Sequence, residues 1–123
     1  MVRFTILFAI IISLGRSGLA AAEDDDLMIA FNTHCRNCHS IRKGDNRLGP
    51  SLYGVFGARA GRVEGYRSYS GSLTGITWDE ATLDKFIANP AAVAASTTMI
   101  YPAVGDASER KKIIAFLKSI GAP

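Results

Sequence analysis

The sequence predicts an all-α domain, with three main helices joined by long loops. Three observations carry that prediction. Apolar residues recur at helical spacing in three separate stretches, near residues 27–34, 83–87 and 113–120. Capping and stop signals bracket two of these stretches, and an acidic run precedes the other. No run alternates apolar and polar residues for long enough to make a useful strand. At 123 residues the chain is one domain long. Its 48% hydrophobic and 20% charged residues are ordinary for a globular protein and exclude wholesale disorder.

Ahead of the first helix the chain has a different character. Arg3 supplies one positive charge, and residues 4–14 are almost wholly apolar. Ala20 and Ala22 then give a small-x-small pattern. A basic start, a short apolar run and a small-residue site read as a secretory signal peptide over residues 1–22. An uncleaved membrane anchor is the alternative, but the apolar run is about half of the ~20 residues that span a bilayer. Cleavage after Ala22 would leave residues 23–123 as an exported, periplasmic domain. Arg3 and Arg16 would leave with the signal and none of the 11 acidic residues would, so the formal charge of +3 shrinks by two. A nearly neutral domain has no field for gathering nucleic acid. No second long apolar run remains to hold it in a membrane.

The first helix is expected over about residues 24–36. Leu27, Ala30, Phe31 and His34 form its apolar stripe, and the acidic run 23–26 complements the helix dipole at its start. Met28, on the same helix, is expected to pack in the core. The middle of the chain, residues 42–77, is rich in Gly, Ser and Arg and shows no period. A loop region this long counts against a compact domain unless it wraps something that supplies the missing core. Thr77-Trp78-Asp79-Glu80 matches a capping box opening the second helix. Leu83, Phe86 and Ile87 are its stripe, and Asn89-Pro90 its end. Residues 91–95 could add one more turn. Asp106-Ala107-Ser108-Glu109 opens the last helix, whose apolar face is Ile113, Phe116, Leu117 and Ile120, with Gly121 as a stop.

Both cysteines fall in Cys35-Arg36-Asn37-Cys38-His39. The C-x-x-C-H pattern is the attachment site of c-type haem. Two thiols three positions apart can each bond one vinyl group of a porphyrin, and the adjacent imidazole reaches the iron. A thioredoxin-like site would need a βαβ pattern, which is absent. A zinc site would need further ligands, and His34 is the only other histidine. A plain disulfide would explain neither His39 nor the glycine-rich middle. One covalent haem c, bound through Cys35 and Cys38, also supplies the core that the small helical set lacks.

With that motif in place, the chain resembles the class I cytochromes c, the mitochondrial protein and the small bacterial electron carriers. The resemblance runs through Phe31, the 35–39 motif and the run 48–57, Leu48-Gly49-Pro50-Ser51-Leu52-Tyr53-Gly54-Val55-Phe56-Gly57. It continues through Gly65-Tyr66, Tyr69-Ser70, Gly75-Ile76-Thr77-Trp78, Asn89-Pro90, Thr97-Thr98-Met99 and Ile113-Ile114-Ala115-Phe116-Leu117. It implies the class I fold, with loops wrapped around the haem. It implies that His39 and Met99 are the axial iron ligands. A thioether ligand favours ferrous iron and raises the potential. It implies that the Pro50 carbonyl accepts a hydrogen bond from His39, that Tyr69, Trp78 and Thr97 bind the inner propionates, and that Phe31 meets Phe116 between the first and last helices. Tyr101 corresponds to an aromatic near the haem edge.

The chain also departs from that pattern. Arg59 falls one place later than the family's arginine, and Phe86 stands where many members carry a tyrosine. Ala91-Ala92-Val93-Ala94-Ala95-Ser96 replaces the lysines of the mitochondrial haem edge. The function implied is a periplasmic monohaem one-electron carrier, not an enzyme. It would cycle Fe(II)/Fe(III) between redox proteins of a respiratory or oxidative chain, as a monomer docking transiently at the haem edge. The alternative is a dedicated haem subunit, or the specific electron acceptor, of one periplasmic dehydrogenase.

Overall fold

Alanine is the strongest helix former, and Ala20, Ala21 and Ala22 start the first helix earlier than the apolar stripe alone indicates. In the computed structural model, which describes residues 17–99 and 103–121, α1 spans Ser17–His34. The acidic run 23–26 therefore lies inside α1 and not at its N-terminus, so it has no end-charge role there. The helix also closes before Cys35, two residues short of the expected end. Most of the proposed signal segment, and Tyr101, lie outside the described residues.

α2 spans Glu80–Ala88 and α3 Pro90–Val93. The N-cap of α2 is Asp79, whose carboxylate accepts from the Thr82 N–H at 2.8 Å. The expected cap, Thr77, is committed elsewhere, in an isolated antiparallel bridge with Arg59. That bridge is the one β feature among the described residues. Bonds from Gly57 N–H to Trp78 O and from Trp78 N–H to Ala58 O, both 2.8 Å, extend it into a short two-stranded contact. Asn89 caps the end of α2, and Pro90 opens α3, where its missing N–H costs nothing. α4 spans Ala107–Ser119, with the Asp106 carboxylate accepting from Glu109 N–H at 2.9 Å.

α4 is the hub, packing on both α1 and α2. Ile113, Ile114, Phe116 and Leu117 are buried, together with Ala30, Phe31, Val55, Leu83 and Val104. Burial of each large side chain contributes about 1.5–3 kcal/mol. Phe31 and Phe116 meet at 5.0 Å between ring centroids, tilted by 36°, so the contact implied for the first and last helices is present. Met28 is 44% exposed and makes no core, contrary to expectation. It sits about 100° around the helix from Leu27, off the buried face. Arg110 ties α4 to α2: its Nε donates to Asp84 Oδ1 at 2.7 Å, and its Nη1 to the carbonyls of Val104 and Gly105. Beyond α4, Gly121 takes φ +71°, and its backbone lies directly on that of Gly54, where a Cβ would fall 2.7 Å from the Gly54 Cα. Among the described residues no helix is long and apolar enough to cross a membrane.

Candidate functional site

After α1 the chain continues in a hydrogen-bonded turn, with Cys35 N–H bonding to Phe31 O at 2.8 Å and His39 N–H to Cys35 O at 3.0 Å. The turn sets Cys35, Cys38 and His39 along one wall of a cavity of about 1150 Å³. That exceeds the ~300–1,000 Å³ of ordinary ligand pockets. The other walls come from the loops and from α2 and α4, including Leu52, Val55, Leu83, Phe86, Ile113 and Leu117. Pro50, Tyr69, Trp78, Thr97 and Met99 line the same cavity. Every residue singled out from the sequence as a site residue is thus gathered around one space.

His39 is the most constrained of them. Its Nδ1 donates to the Pro50 carbonyl at 2.7 Å, the bond the resemblance implies. A carbonyl only accepts, so Nδ1 carries the hydrogen and Nε2 keeps a free lone pair. No buried side-chain nitrogen or oxygen among the described residues lacks a partner, so Nε2 opens to the cavity. Burial holds His39 below the ordinary imidazole pKa, and the Pro50 bond pulls the other way. The imidazole is therefore neutral at neutral pH, the form that ligates metal. Cys35 and Cys38 are unpaired thiols. Burial, and then the neighbouring Cys38, push Cys35 up to about 11.

Gly49 leaves the imidazole its room. A Cβ there would strike Cε1 of His39 and stand 2.6 Å from Nδ1. Gly49 is itself fixed, donating to Cys38 O at 2.8 Å and accepting from Arg47 N–H at 2.9 Å. Asn46 braces the same turn. Its Oδ1 accepts from Ser51 N–H at 2.9 Å, and its Nδ2 donates to Glu64 O at 3.0 Å. Tyr66 adds a bond from its hydroxyl to Leu48 O at 2.8 Å, and stacks edge-on to Tyr69 at 4.8 Å. Sequence reasoning gave Gly49, Asn46 and Tyr66 no role. Gly49 and Tyr66 stood within the resemblance without a role, and the contacts that give all three residues one, with the His39 ring and with the backbone of Ser51, Glu64 and Leu48, leave no periodic mark in the sequence.

On the far wall, Trp78 packs on Phe86 at 4.7 Å, and its indole N–H has no protein partner among the described residues. The Tyr69 hydroxyl accepts from Val63 N–H at 3.0 Å and keeps its own hydrogen to donate. Burial raises its pKa, so it stays protonated. Thr97 Oγ1 accepts from Met99 N–H at 3.2 Å. Arg59 is exposed and reaches the cavity rim. Two thiols, a neutral imidazole with its lone pair toward the space, a thioether, and apolar walls with hydroxyl and indole donors together fit haem c.

No protein-family model matches the chain. Several curated proteins do. Cytochrome c2 iso-2 of Magnetospirillum fulvum is 39% identical over 87 residues, covering 70% of this chain and 91% of that protein. Cytochrome c2 of Rhodopila globiformis is 40% identical over 91 residues, covering 73% and 86%. Cytochrome c of Gibberella zeae is 38% identical over 91 residues, covering 72% and 85%. Among solved structures, cytochrome cH from Methylobacterium extorquens superposes with a TM-score of 0.69 at 37% identity, covering 77% of this chain and 96% of that one. Likeness of this extent in both sequence and fold, converging on a cavity that suits haem c, makes the chain a member of the class I c-type cytochromes, with haem c as its covalent cofactor.

Proposed function

We propose that the protein is a monohaem one-electron carrier, exported to the periplasm, in which His39 and Met99 would hold the haem iron. The observation that carries this reading is the His39 Nδ1 to Pro50 bond, which leaves Nε2 aimed at a cavity that Met99 also lines. Bound haem c supplies Fe(II)/Fe(III) chemistry. The chain's residues do the rest. Cys35 and Cys38 would tether the haem, each thiol adding across one vinyl double bond to give a thioether. The Pro50 carbonyl fixes the tautomer and orientation of His39 and raises its basicity. Tyr69, Trp78 and Thr97 offer hydrogen bonds to buried carboxylates, which are costly to leave unpaired. The apolar walls keep water out and lower the local dielectric, which tunes the potential. If His39 and Met99 both held the iron, no position would be left for a substrate, and exchange would run through a small transient interface with redox proteins.

Export is supported by the basic, apolar and small-residue order of residues 1–22. Removal of that segment would also leave the acidic run 23–26 at the start of α1, where it favours the helix. Its check is the N-terminal residue of the mature protein: Glu23 is expected, and an intact Met1 would show a retained anchor.

The reading is tested by the visible spectrum of the reduced holoprotein with and without carbon monoxide. An unchanged spectrum is expected, because Met99 closes the sixth position. A shifted Soret band means an open site and overturns the carrier with this axial pair. Absence of any haem band from protein expressed with export overturns the assignment altogether.

A further inference from the structure

We propose that Ser70 is a positioning residue for Met99, fastening the loop that carries Met99 to the opposite lip of the cavity. The inference rests on the reading of Met99 as an axial ligand. Ser70 and Thr98 are far apart in sequence, and both line the cavity. The Thr98 N–H donates to Ser70 Oγ at 2.8 Å, and the Ser70 and Thr98 hydroxyls share a second bond at 2.7 Å. Two residues on, Ser72 N–H donates to Ala95 O at 3.0 Å. Between them Gly71, at φ +79°, lies so close to the loop that a Cβ would stand 2.9 Å from both Ala95 O and Thr97 N. The short run 70–72 thus grips the loop immediately before Met99 at consecutive points.

The loop needs that grip. Upstream it is anchored by Ala94, which is fully buried, and α3 has already ended at Val93. Beyond Ala94, Ser96 adopts φ +63°, a left-handed conformation unfavourable for a residue with a Cβ. Such a conformation persists only where its surroundings hold it. Ser96, Thr98 and Met99 are exposed, so no core packing does the holding. Inside the loop, Thr97 N–H donates to Ala94 O at 3.1 Å and Met99 N–H to Thr97 Oγ1 at 3.2 Å. The ties to 70–72 join that local turn to the other side of the cavity and so fix how Met99 approaches it. Ser70 supplies the two nearest to Met99.

A ligand that competes with Met99 must wait for the loop to open. The rate of its binding then reports the open fraction, which the Ser70 bonds hold down. The test uses ferric holoprotein and imidazole as the competing ligand, followed by stopped flow in wild type, Ser70→Ala, Ser70→Thr and Met99→Ala. Ser70→Ala is expected to bind imidazole about tenfold faster than wild type, the equivalent of one net hydrogen bond at ~1.4 kcal/mol per decade. Ser70→Thr, which keeps the hydroxyl, is expected to restore the slow rate. Ser70→Ala binding at the wild-type rate, with Met99→Ala fast, overturns the proposal alone. Wild type already as fast as Met99→Ala overturns the Met99 reading, and the proposal with it. A second measurement needs no variant: the Thr98 amide of wild-type holoprotein is expected to be protected from hydrogen exchange, and free exchange there overturns the proposal.

Discussion

Replacing Gly49 by alanine adds one methyl group against the ring of His39. The added Cβ would stand 2.6 Å from Nδ1 and 2.8 Å from Nε2. Relaxed contacts of this kind lie near 3.5–4.0 Å, so the ring or the turn must yield by about 1 Å. The turn resists, because Gly49 is bonded through both its N–H and its carbonyl. The ring yields, and a shift of about 1 Å stretches the 2.7 Å bond to Pro50 beyond hydrogen-bonding range. Overpacking costs about 1–3 kcal/mol, and the lost bond about 1 kcal/mol more. Loss of a bond that orients a metal ligand typically weakens ligation about 10- to 100-fold. Gly49→Ala holoprotein should therefore unfold at a lower guanidinium concentration. Its reduced spectrum should respond to carbon monoxide, which the wild type should exclude. Gly105→Ala is the control, since a Cβ there meets nothing within 4 Å and its φ is ordinary. It should be neutral, or stabilising by about 0.4–1 kcal/mol. If Gly49→Ala matches that control in both stability and carbon monoxide response, the close approach of Gly49 to His39 is not what the structure says it is.

Three further outcomes are expected. Phe31→Ala should cost about 3–5 kcal/mol of unfolding free energy, and a double-mutant cycle with Phe116→Ala should return a coupling of about 0.5–1.5 kcal/mol for the ring pair; a coupling near zero would mean that the rings are mere neighbours. Arg110→Met keeps length and apolar packing but leaves the Val104 and Gly105 carbonyls and Asp84 without their donor, so denaturant titration should show a loss of about 1–3 kcal/mol. Asp79 and Asp106 both accept backbone N–H bonds at helix starts, and those bonds hold their carboxyls below the usual range. Because their folded pKa values are depressed, their contribution is complete above the unfolded value of about 3.9 and is lost as pH falls through the folded value. Acid titration of Asp79→Asn and Asp106→Asn should show shallower loss of stability below pH ~4 than wild type, and an unchanged acid limb would contradict the capping assignment.

The helices were legible in the sequence because their information is local. Leu83, Phe86 and Ile87 mark one face of α2, and Ile113, Phe116 and Leu117 one face of α4, at a period set by helix geometry. Errors arose where two local signals competed. Thr77 fits a capping box, but Asp79 is an equally good acceptor two residues nearer the helix, and the backbone of Thr77 is drawn into the bridge with Arg59. Ala20–Ala22 are also strong helix formers, and α1 begins ahead of them, at Ser17, where the apolar stripe alone indicated a later start. The candidate site residues, which the structure gathers around one cavity, were legible for a different reason: the 35–39 motif and the family resemblance name them. Their geometry was not. The Gly49 approach, the Asn46 brace and the Ser70 grip join segments distant in sequence, and nothing periodic records such pairs.

The pairing of α1 with α4 has a bearing on the order in which the molecule is completed. Residues 35–39 precede α4 by about seventy positions, while Ile113 and Leu117 of α4 line the same cavity and Phe116 of α4 packs on Phe31. A chain emerging N-terminus first cannot bury Phe31 against Phe116 until nearly all of it has appeared. Bringing such distant segments together costs chain entropy that grows slowly with separation, by about 0.6 kcal/mol per doubling, and it slows folding. Until α4 is in place, the part of the cavity wall that Ile113 and Leu117 form would be missing opposite the two thiols and His39. Packing of α4 would therefore be the step that completes this side of the cavity.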